Sequence, residues 1–566
     1  MGDTVKKKIS IGVEDFKEII EKDGYFVDKT LMIKKLIESQ AKVTLFTRPR
    51  RFGKTLNQFM IRRFFEDEIT EKGEKVDNGY LFDGLKIAEC GEEILKHQQQ
   101  YPVIFLTLKS AKQPTYEMAY ACLVDEICKE FERHSYVLAG EMPKRNRERF
   151  ERIQLGKGSR DEYAKALGFL SECLFKYHGK SAFILIDEYD VPLENAYFEG
   201  FYDKMIQFIR SLFESALKTN PYLEKSVITG CLRISKESIF TGLNNLKVDS
   251  VLRTEYGDSF GFTESEVEAM LAYYNLQEEL PEVKEWYDGY LFNDIEIYNP
   301  WSIINYVYDR DRKITKFALP YWSNSSSNSI IREMVGEADA DAKRDLETLI
   351  NGGTIEKQVH EDITYGDIHQ SQDNLWNFLF FTGYLKKAGE QKEGNNLKLE
   401  MKIPNIEIAT IYENSISYWF EQRIKETDRS PLVRALETGD CEAAEDFINR
   451  QLADTISYYD YAENFYHGFM AGLLVNIGGY SVKSNRESGN GRPDIVMTEL
   501  KFRGRAMILE LKISDTIQGM EKKCEEALTQ MKEQKYESSL EDDGYQPILK
   551  YAICFFKKGC MVKKAE

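Results

Sequence analysis

The run Val43-Thr44-Leu45-Phe46-Thr47-Arg48-Pro49-Arg50-Arg51-Phe52-Gly53-Lys54-Thr55 decides how the first half of the chain is read. Its apolar start predicts a buried strand, a basic turn follows, and Gly-Lys-Thr opens a helix over Leu56 to Phe65. Strand, loop and helix in that order are what a phosphate-binding loop requires. Backbone N–H groups at a helix start face anions, and the helix dipole favours negative charge there. In this reading Lys54 reaches the β- and γ-phosphates of ATP and the Thr55 hydroxyl ligates Mg²⁺. The pattern G-x-x-x-x-G-K-[ST] asks for glycine at position 48, where this chain has Arg48.

A phosphate loop needs a partner carboxylate at the end of a neighbouring strand. Ser181-Ala182-Phe183-Ile184-Leu185-Ile186-Asp187-Glu188 supplies an apolar strand that ends on two acids. Asp187 is expected to hold Mg²⁺, and Glu188 to polarise the attacking water. Ser226-Val227-Ile228-Thr229-Gly230 predicts another buried strand. Thr229 at its end is placed like the γ-phosphate sensor of an AAA-type ATPase. Arg233, just beyond, reads as a γ-phosphate sensor, as an arginine finger or as a structural salt bridge. Arg48, Pro49, Arg50, Arg51, Phe52 and Gly53 complete the nucleotide-binding loop. Its arginines are expected to add charge at the phosphates, with some free to pair with acids inside the domain.

Short apolar strands at 43–47, 101–108, 181–187 and 226–230 alternate with helical stretches, so βαβ units and a parallel sheet are predicted. From about 262 the texture becomes helical and aromatic. Residues 374–404 suggest a winged-helix-like unit: a helix over 374–385, a polar turn over 386–395 and an alternating strand over 397–403. Residues 406–478 read as mostly helical, and strands return at 493–497, 505–512 and 549–556 around a helix near 517–536. With 566 residues the chain exceeds a single core, which stops growing near ~250–300 residues. Three regions are expected: 1–262, 263–445 and 446–566.

The bulk numbers exclude several classes. The chain is 42% hydrophobic and 30% charged, and no apolar run approaches the ~18 residues of a membrane span. The basic start lacks an apolar segment, so no signal peptide is predicted. Nine cysteines without a C-x-x-C pair predict reduced thiols and a cytoplasmic protein. A net charge of −18 argues against indiscriminate coating of nucleic acid. It leaves room for local basic grooves: residues 42–63 carry seven Lys/Arg and no acid.

A second constellation lies near the C-terminal end. Metal-assisted phosphodiester hydrolysis needs clustered carboxylates for Mg²⁺ and a lysine to orient or activate water. Pro493-Asp494, then Glu510-Leu511-Lys512 after fifteen intervening residues, suits two adjacent antiparallel strands. Alternation along a strand puts Glu510 and Lys512 on one face. Asp494 and Glu510 are the expected metal ligands. Gly489-Asn490-Gly491-Arg492 predicts a tight turn before Asp494. His467, on an aromatic helix, reads as a packed residue.

Arg48-Pro49-Arg50-Arg51-Phe52-Gly53-Lys54-Thr55-Leu56, Leu185-Ile186-Asp187-Glu188-Tyr189-Asp190-Val191-Pro192-Leu193 and Thr241-Gly242-Leu243-Asn244-Asn245-Leu246 together resemble the bacterial AAA-ATPase-like family. Phe26-Val27-Asp28-Lys29-Thr30 and Trp286-Tyr287-Asp288-Gly289-Tyr290 also match it. The resemblance implies that arginine at position 48 is a family trait. It also implies a C-terminal nuclease-like domain of the PD-(D/E)XK superfamily. By that resemblance Glu463 is the acid on the domain's first helix, with Glu487 a second candidate, and Gln530 supports the active site. The expected fold is α/β and multidomain: a P-loop parallel sheet, a helical and winged-helix-like middle, and an α/β nuclease-like end. The expected activity is ATP hydrolysis coupled to Mg²⁺-dependent cleavage of nucleic acid, DNA being the expected substrate. No membrane partner is expected, and a homo-oligomer is compatible with an ATPase of this kind. The alternative is a nucleotide-dependent switch whose nuclease-like domain binds nucleic acid or protein without cutting.

Overall fold

A computed structural model describes residues 6–233, 239–240, 245–253, 255–322, 331, 340–360, 371–393, 396–454, 463–475, 477–484, 493–501 and 503–565. Side chains at 340, 372, 417, 419–426, 453–454 and 463–465 lie outside that description. The chain divides into two compact units, Met1–Ser326 with Gly352–Thr410, and Ser327–Asn351 with Ile411–Glu566. The boundaries expected at 262 and 445 do not coincide with these units.

The first unit is built on a five-stranded parallel sheet. Its strands are β1 (Val43–Thr47), β2 (Val103–Thr107), β3 (Ala182–Asp187), β4 (Leu223–Gly230) and β5 (Leu246–Asp249), in the order β2-β3-β4-β1-β5. All five residues of β1 and all six of β3 are buried. Strands covered on both faces need no polar face, which is why they read as continuous apolar runs. Strand β5 escaped the sequence reading. It lies at the sheet edge, and Leu246-Lys247-Val248-Asp249 lacks the apolar run of the central strands.

The unit then adds β6 (Phe262–Thr263), β7 (Tyr290–Phe292) and β8 (Ile295–Tyr298) as a small antiparallel sheet. A third sheet joins β9 (Ile355–Val359), β10 (Lys386–Glu393) and β11 (Asn396–Lys402), with β11 central. The polar turn expected over 386–395 is therefore mostly strand. At an edge, charged and polar side chains face water and discourage further pairing, so β10 can carry Glu390, Gln391, Lys392 and Glu393.

The second unit holds a mixed sheet in the order β12 (Tyr480–Ser484), β13 (Ile495–Glu499), β14 (Ala506–Ile513), β15 (Ile548–Phe556) and β16 (Gly559–Lys564). Only β14 and β15 run parallel, joined by a connection that carries the helix Met520–Glu533. The helix Glu463–Leu474 packs on one face of the sheet, with Tyr466, Phe469, Met470 and Leu473 buried among its side chains. Cys524, Ala527 and Met531 of the later helix cover the other face.

Arg48 anchors the first unit rather than a ligand. Its side chain is fully buried and donates to the Thr47 carbonyl at 2.9 Å, the Asp249 carbonyl at 2.8 Å and the Asp249 carboxylate at 2.5 Å. Its guanidinium also lies 5.0 Å from the Phe260 ring centre and 5.2 Å from that of Phe292. The expectation that Arg48 adds charge at the phosphates is corrected accordingly: the charge is consumed in tying β1 to the edge strand β5. Breaking one side of a buried ion pair strands the other charge. Asp249→Ala is therefore expected to lower the stability of this unit by roughly 3–5 kcal/mol. The check is its urea unfolding midpoint, with Asp249→Asn falling between variant and wild type.

Candidate functional sites

The first site forms where β1, β3 and β4 end side by side. Gly53 precedes the helix Lys54–Phe65 at φ +80°, a left-handed conformation that glycine adopts without a Cβ clash. The first turn of that helix presents Lys54 and Thr55. The Thr55 hydroxyl donates to Asp187 Oδ2 at 2.7 Å, and the Thr229 hydroxyl donates to Asp187 Oδ1 at 2.5 Å. One carboxylate thus joins the helix after β1 to β3 and β4. Gln58, one turn on, donates to the Val227 carbonyl at 3.2 Å and reaches the Thr229 hydroxyl at 3.3 Å. Burial pushes the Asp187 carboxyl up, as does neighbouring Glu188, while the two threonine hydroxyls and Lys54 oppose the shift.

Lys54 is buried and donates to the carbonyls of Arg48 at 3.0 Å and Pro49 at 2.9 Å. Glu188 adopts φ +51°, a sparsely populated conformation for a residue with a side chain. Such strain costs of order 1–3 kcal/mol and persists only where the surroundings enforce it. Arg51, also left-handed at φ +72°, stacks on Trp301 with its guanidinium 4.2 Å from the ring centre. Phe52 is buried edge-on against Tyr290, with ring centres 5.0 Å apart. Arg50 pairs with Glu194 through both carboxylate oxygens. Arg233 is half-buried just past β4.

The sequence reading missed Tyr189 and Asp190. The Tyr189 hydroxyl donates to the Leu232 carbonyl at 2.6 Å. Buried Asp190 accepts from the N–H groups of Cys231 at 2.7 Å and Leu232 at 3.1 Å, and burial pushes its carboxyl up to about 6. Together they fix the segment after Thr229 against the end of β3. Gly230 permits this approach, since a Cβ there would lie 2.5 Å from the Tyr189 ring. The available signal was an acid three residues after Asp187, at the start of the helix Val191–Phe198.

The second site lies on β13 and β14. Ile495 pairs with Leu509, which sets Asp494 at the level of Glu510. Asp494 Oδ2 accepts from the Leu511 N–H at 2.8 Å. Glu510 Oε1 accepts from Lys512 Nζ at 3.2 Å and from Gln530 Nε2 at 2.6 Å. Gln530 also reaches the Tyr536 hydroxyl at 3.0 Å, a contact absent from the sequence reading. Glu510 is buried, and its Oε2 accepts no hydrogen bond among the described residues. Burial first, then neighbouring Asp494, pushes the Glu510 carboxyl up to about 7.

Asp494, Glu510, Lys512 and Gln530 therefore come together as expected. Glu463 opens the helix Glu463–Leu474, with its side chain outside the described residues. Glu487, the turn 489–492 and residues 241–244 also lie outside them. His467 is half-buried, with its Nε2 3.2 Å from the Asp494 carbonyl and 3.0 Å from the Ser484 hydroxyl. It borders the acidic cluster rather than only filling the core.

Both sites fit the groups their chemistry implies. Thr55 and Asp187 place a hydroxyl and a carboxylate, both Mg²⁺-type oxygens, at the start of a helix. Asp494 and Glu510 place two carboxylates together, one with an orphaned buried oxygen, beside a lysine. The raised Glu510 pKa gives a sign-definite test. An acid whose folded pKa lies above its unfolded value of about 4.5 contributes stability that is full below that value and lost as pH rises through about 7. Between pH 5 and pH 8, with divalent ions chelated, Glu510→Gln is expected to gain roughly 2–3 kcal/mol over the wild type. The check is the urea midpoint of both proteins at the two pH values.

Comparison with known proteins agrees with this division. Residues 10–240 match the family described as predicted AAA-ATPase, and residues 461–565 match the PD-(D/E)XK nuclease superfamily. A protein of Azotobacter chroococcum mcd 1, described as an uncharacterized protein in the vnfD 5′ region, is 24% identical over 559 residues. The match spans 94% of this chain and 93% of that relative. No helix among the described residues is long and apolar enough to cross a membrane. Strands β1 to β4 with the glycine-lysine-threonine helix start, and the mixed sheet with its acidic pair, thus fall in the two matched segments: the chain is similar over these to AAA-ATPase-like proteins and to PD-(D/E)XK nuclease-like domains.

Proposed function

We propose that the first unit binds and hydrolyses ATP with Mg²⁺ and that the second cuts the phosphodiester backbone of DNA, its activity controlled by the nucleotide. The carrying observation is the convergence of Asp494, Glu510 and Lys512, with the second oxygen of Glu510 buried and accepting no hydrogen bond among the described residues. Burying a carboxylate with one oxygen unsatisfied is costly unless a cation or proton compensates it. When bound, Mg²⁺ supplies charge to polarise a phosphoryl oxygen and to acidify a bound water. Asp494 and Glu510 offer it oxygen ligands, Gln530 keeps the Glu510 carboxylate oriented, and Lys512 orients or deprotonates the attacking water.

In the first unit, Thr55 and Asp187 hold the nucleotide's Mg²⁺ and Lys54 takes the phosphates. Glu188 orients the water that attacks the terminal phosphate. Thr229 and Arg233 lie at the end of the strand from which that phosphate would be sensed. Support comes from the Thr55–Asp187–Thr229 hydrogen bonds and from the family matches.

The test uses the purified full chain with Mg²⁺, plasmid DNA and ATP. Asp494→Ala and Lys512→Ala are each expected to lower cleavage by at least ~10²-fold, the scale on which positioned catalytic groups act. Both variants should retain ATP hydrolysis. Lys54→Ala and Glu188→Gln should lose ATP hydrolysis. Full cleavage by both nuclease-site variants would refute the cleavage-site assignment. ATP hydrolysis with no cleavage by the wild type, with or without ATP, would favour a switch that binds without cutting.

A further inference from the structure

Glu194 sits on the helix Val191–Phe198, which three residues separate from the end of β3 at Asp187. That helix is held in place from within: Pro192, Leu193, Asn195 and Ala196 are buried, and the Asn195 amide donates to the Gln113 carbonyl. Arg50 belongs to the loop between β1 and Lys54. Both Glu194 carboxylate oxygens accept from the same terminal nitrogen of Arg50. The pair is mostly shielded, with side-chain exposures of 30% for Arg50 and 17% for Glu194. Its surroundings are the charged groups of the nucleotide site. Lys54 Nζ lies 3.5 Å from Cys231 Sγ, and the Cys231 N–H is held by Asp190. Arg50, Glu194, Asp190 and Lys54 all act electrostatically on Cys231.

The Arg50 guanidinium, beside a phosphate-binding loop, can pair with the fixed Glu194 carboxylate or with the phosphate of a ligand. A terminal phosphate offers more charge and more oxygens than a carboxylate, and arginine matches its geometry. We propose that Glu194 is a counter-ion that withholds Arg50 until a terminal phosphate draws it away, so that the pair sets the preference for nucleoside triphosphate over diphosphate. This rests on the ATP reading of the same site. Glu194 acts here through Arg50 and is a positioning residue.

The test is calorimetric titration of the full chain with a non-hydrolysable ATP analogue and with ADP, both with Mg²⁺. Removing a competitor raises the fraction of Arg50 competent to bind, so Glu194→Gln should tighten the analogue roughly three- to tenfold. ADP has no terminal phosphate at that place, and its affinity should change less than about twofold. Arg50→Ala should weaken the analogue, and adding Glu194→Gln to Arg50→Ala should change nothing further. That dependence separates competition for Arg50 from a structural effect of Glu194. Tightening that persists without Arg50, equal tightening of ADP, or no tightening in a folded Glu194→Gln protein would each overturn the inference. Failure of the wild type to bind either nucleotide would overturn the ATP reading and this inference with it.

Discussion

The first unit depends on one carboxylate. Asp187 accepts from Thr55 on one oxygen and from Thr229 on the other. These hydrogen bonds cross the sheet order β3-β4-β1 and fix three strand ends at one place. Burial makes the ionised carboxylate expensive, and the two hydroxyls oppose that cost. The threonine and aspartate oxygens are also the types a divalent ion prefers. The contact that orders the strand ends thus brings together the oxygens that would hold the metal ion in the function proposed above.

The loop that precedes Lys54 shows how the fold manages an arginine where a glycine is usual. Arg48 is withdrawn into the core and neutralised by Asp249. Phe52 packs on Tyr290, and Arg51 stacks on Trp301. These contacts bind the loop to β7 and to the helix Pro300–Asp311, which belong to the same unit. A glycine-rich loop gains its shape from backbone freedom. This loop gains it from side chains that are each packed or paired.

Legibility in the sequence followed burial and local spacing. The central strands β1 and β3 and the second half of β4 are buried and mostly apolar because both faces are covered, so their ends, and with them Lys54, Asp187 and Thr229, could be read directly. Glu510 and Lys512 were legible from alternation alone. The strand β5 was hidden by its two charged residues, one of which exists to receive Arg48. Arg48 itself was misread because charge in a motif suggests a ligand, whereas its partner lies 201 residues away. Glu194 was hidden for the same reason, since its partner Arg50 lies 144 residues away, and Asp190 showed only its place at a helix start and not the Cys231 and Leu232 N–H groups it holds. The strand at 386–393 was read as a turn because polar composition at a sheet edge mimics a loop.

The most direct measurement is an experimental structure of the full chain with Mn²⁺ and a non-hydrolysable ATP analogue. A metal peak is expected between Thr55 and Asp187 in place of their hydrogen bond, with the triphosphate against the N-terminus of the helix that begins at Lys54. A nucleotide bound elsewhere, or a Thr55–Asp187 hydrogen bond left intact beneath it, would contradict this assignment.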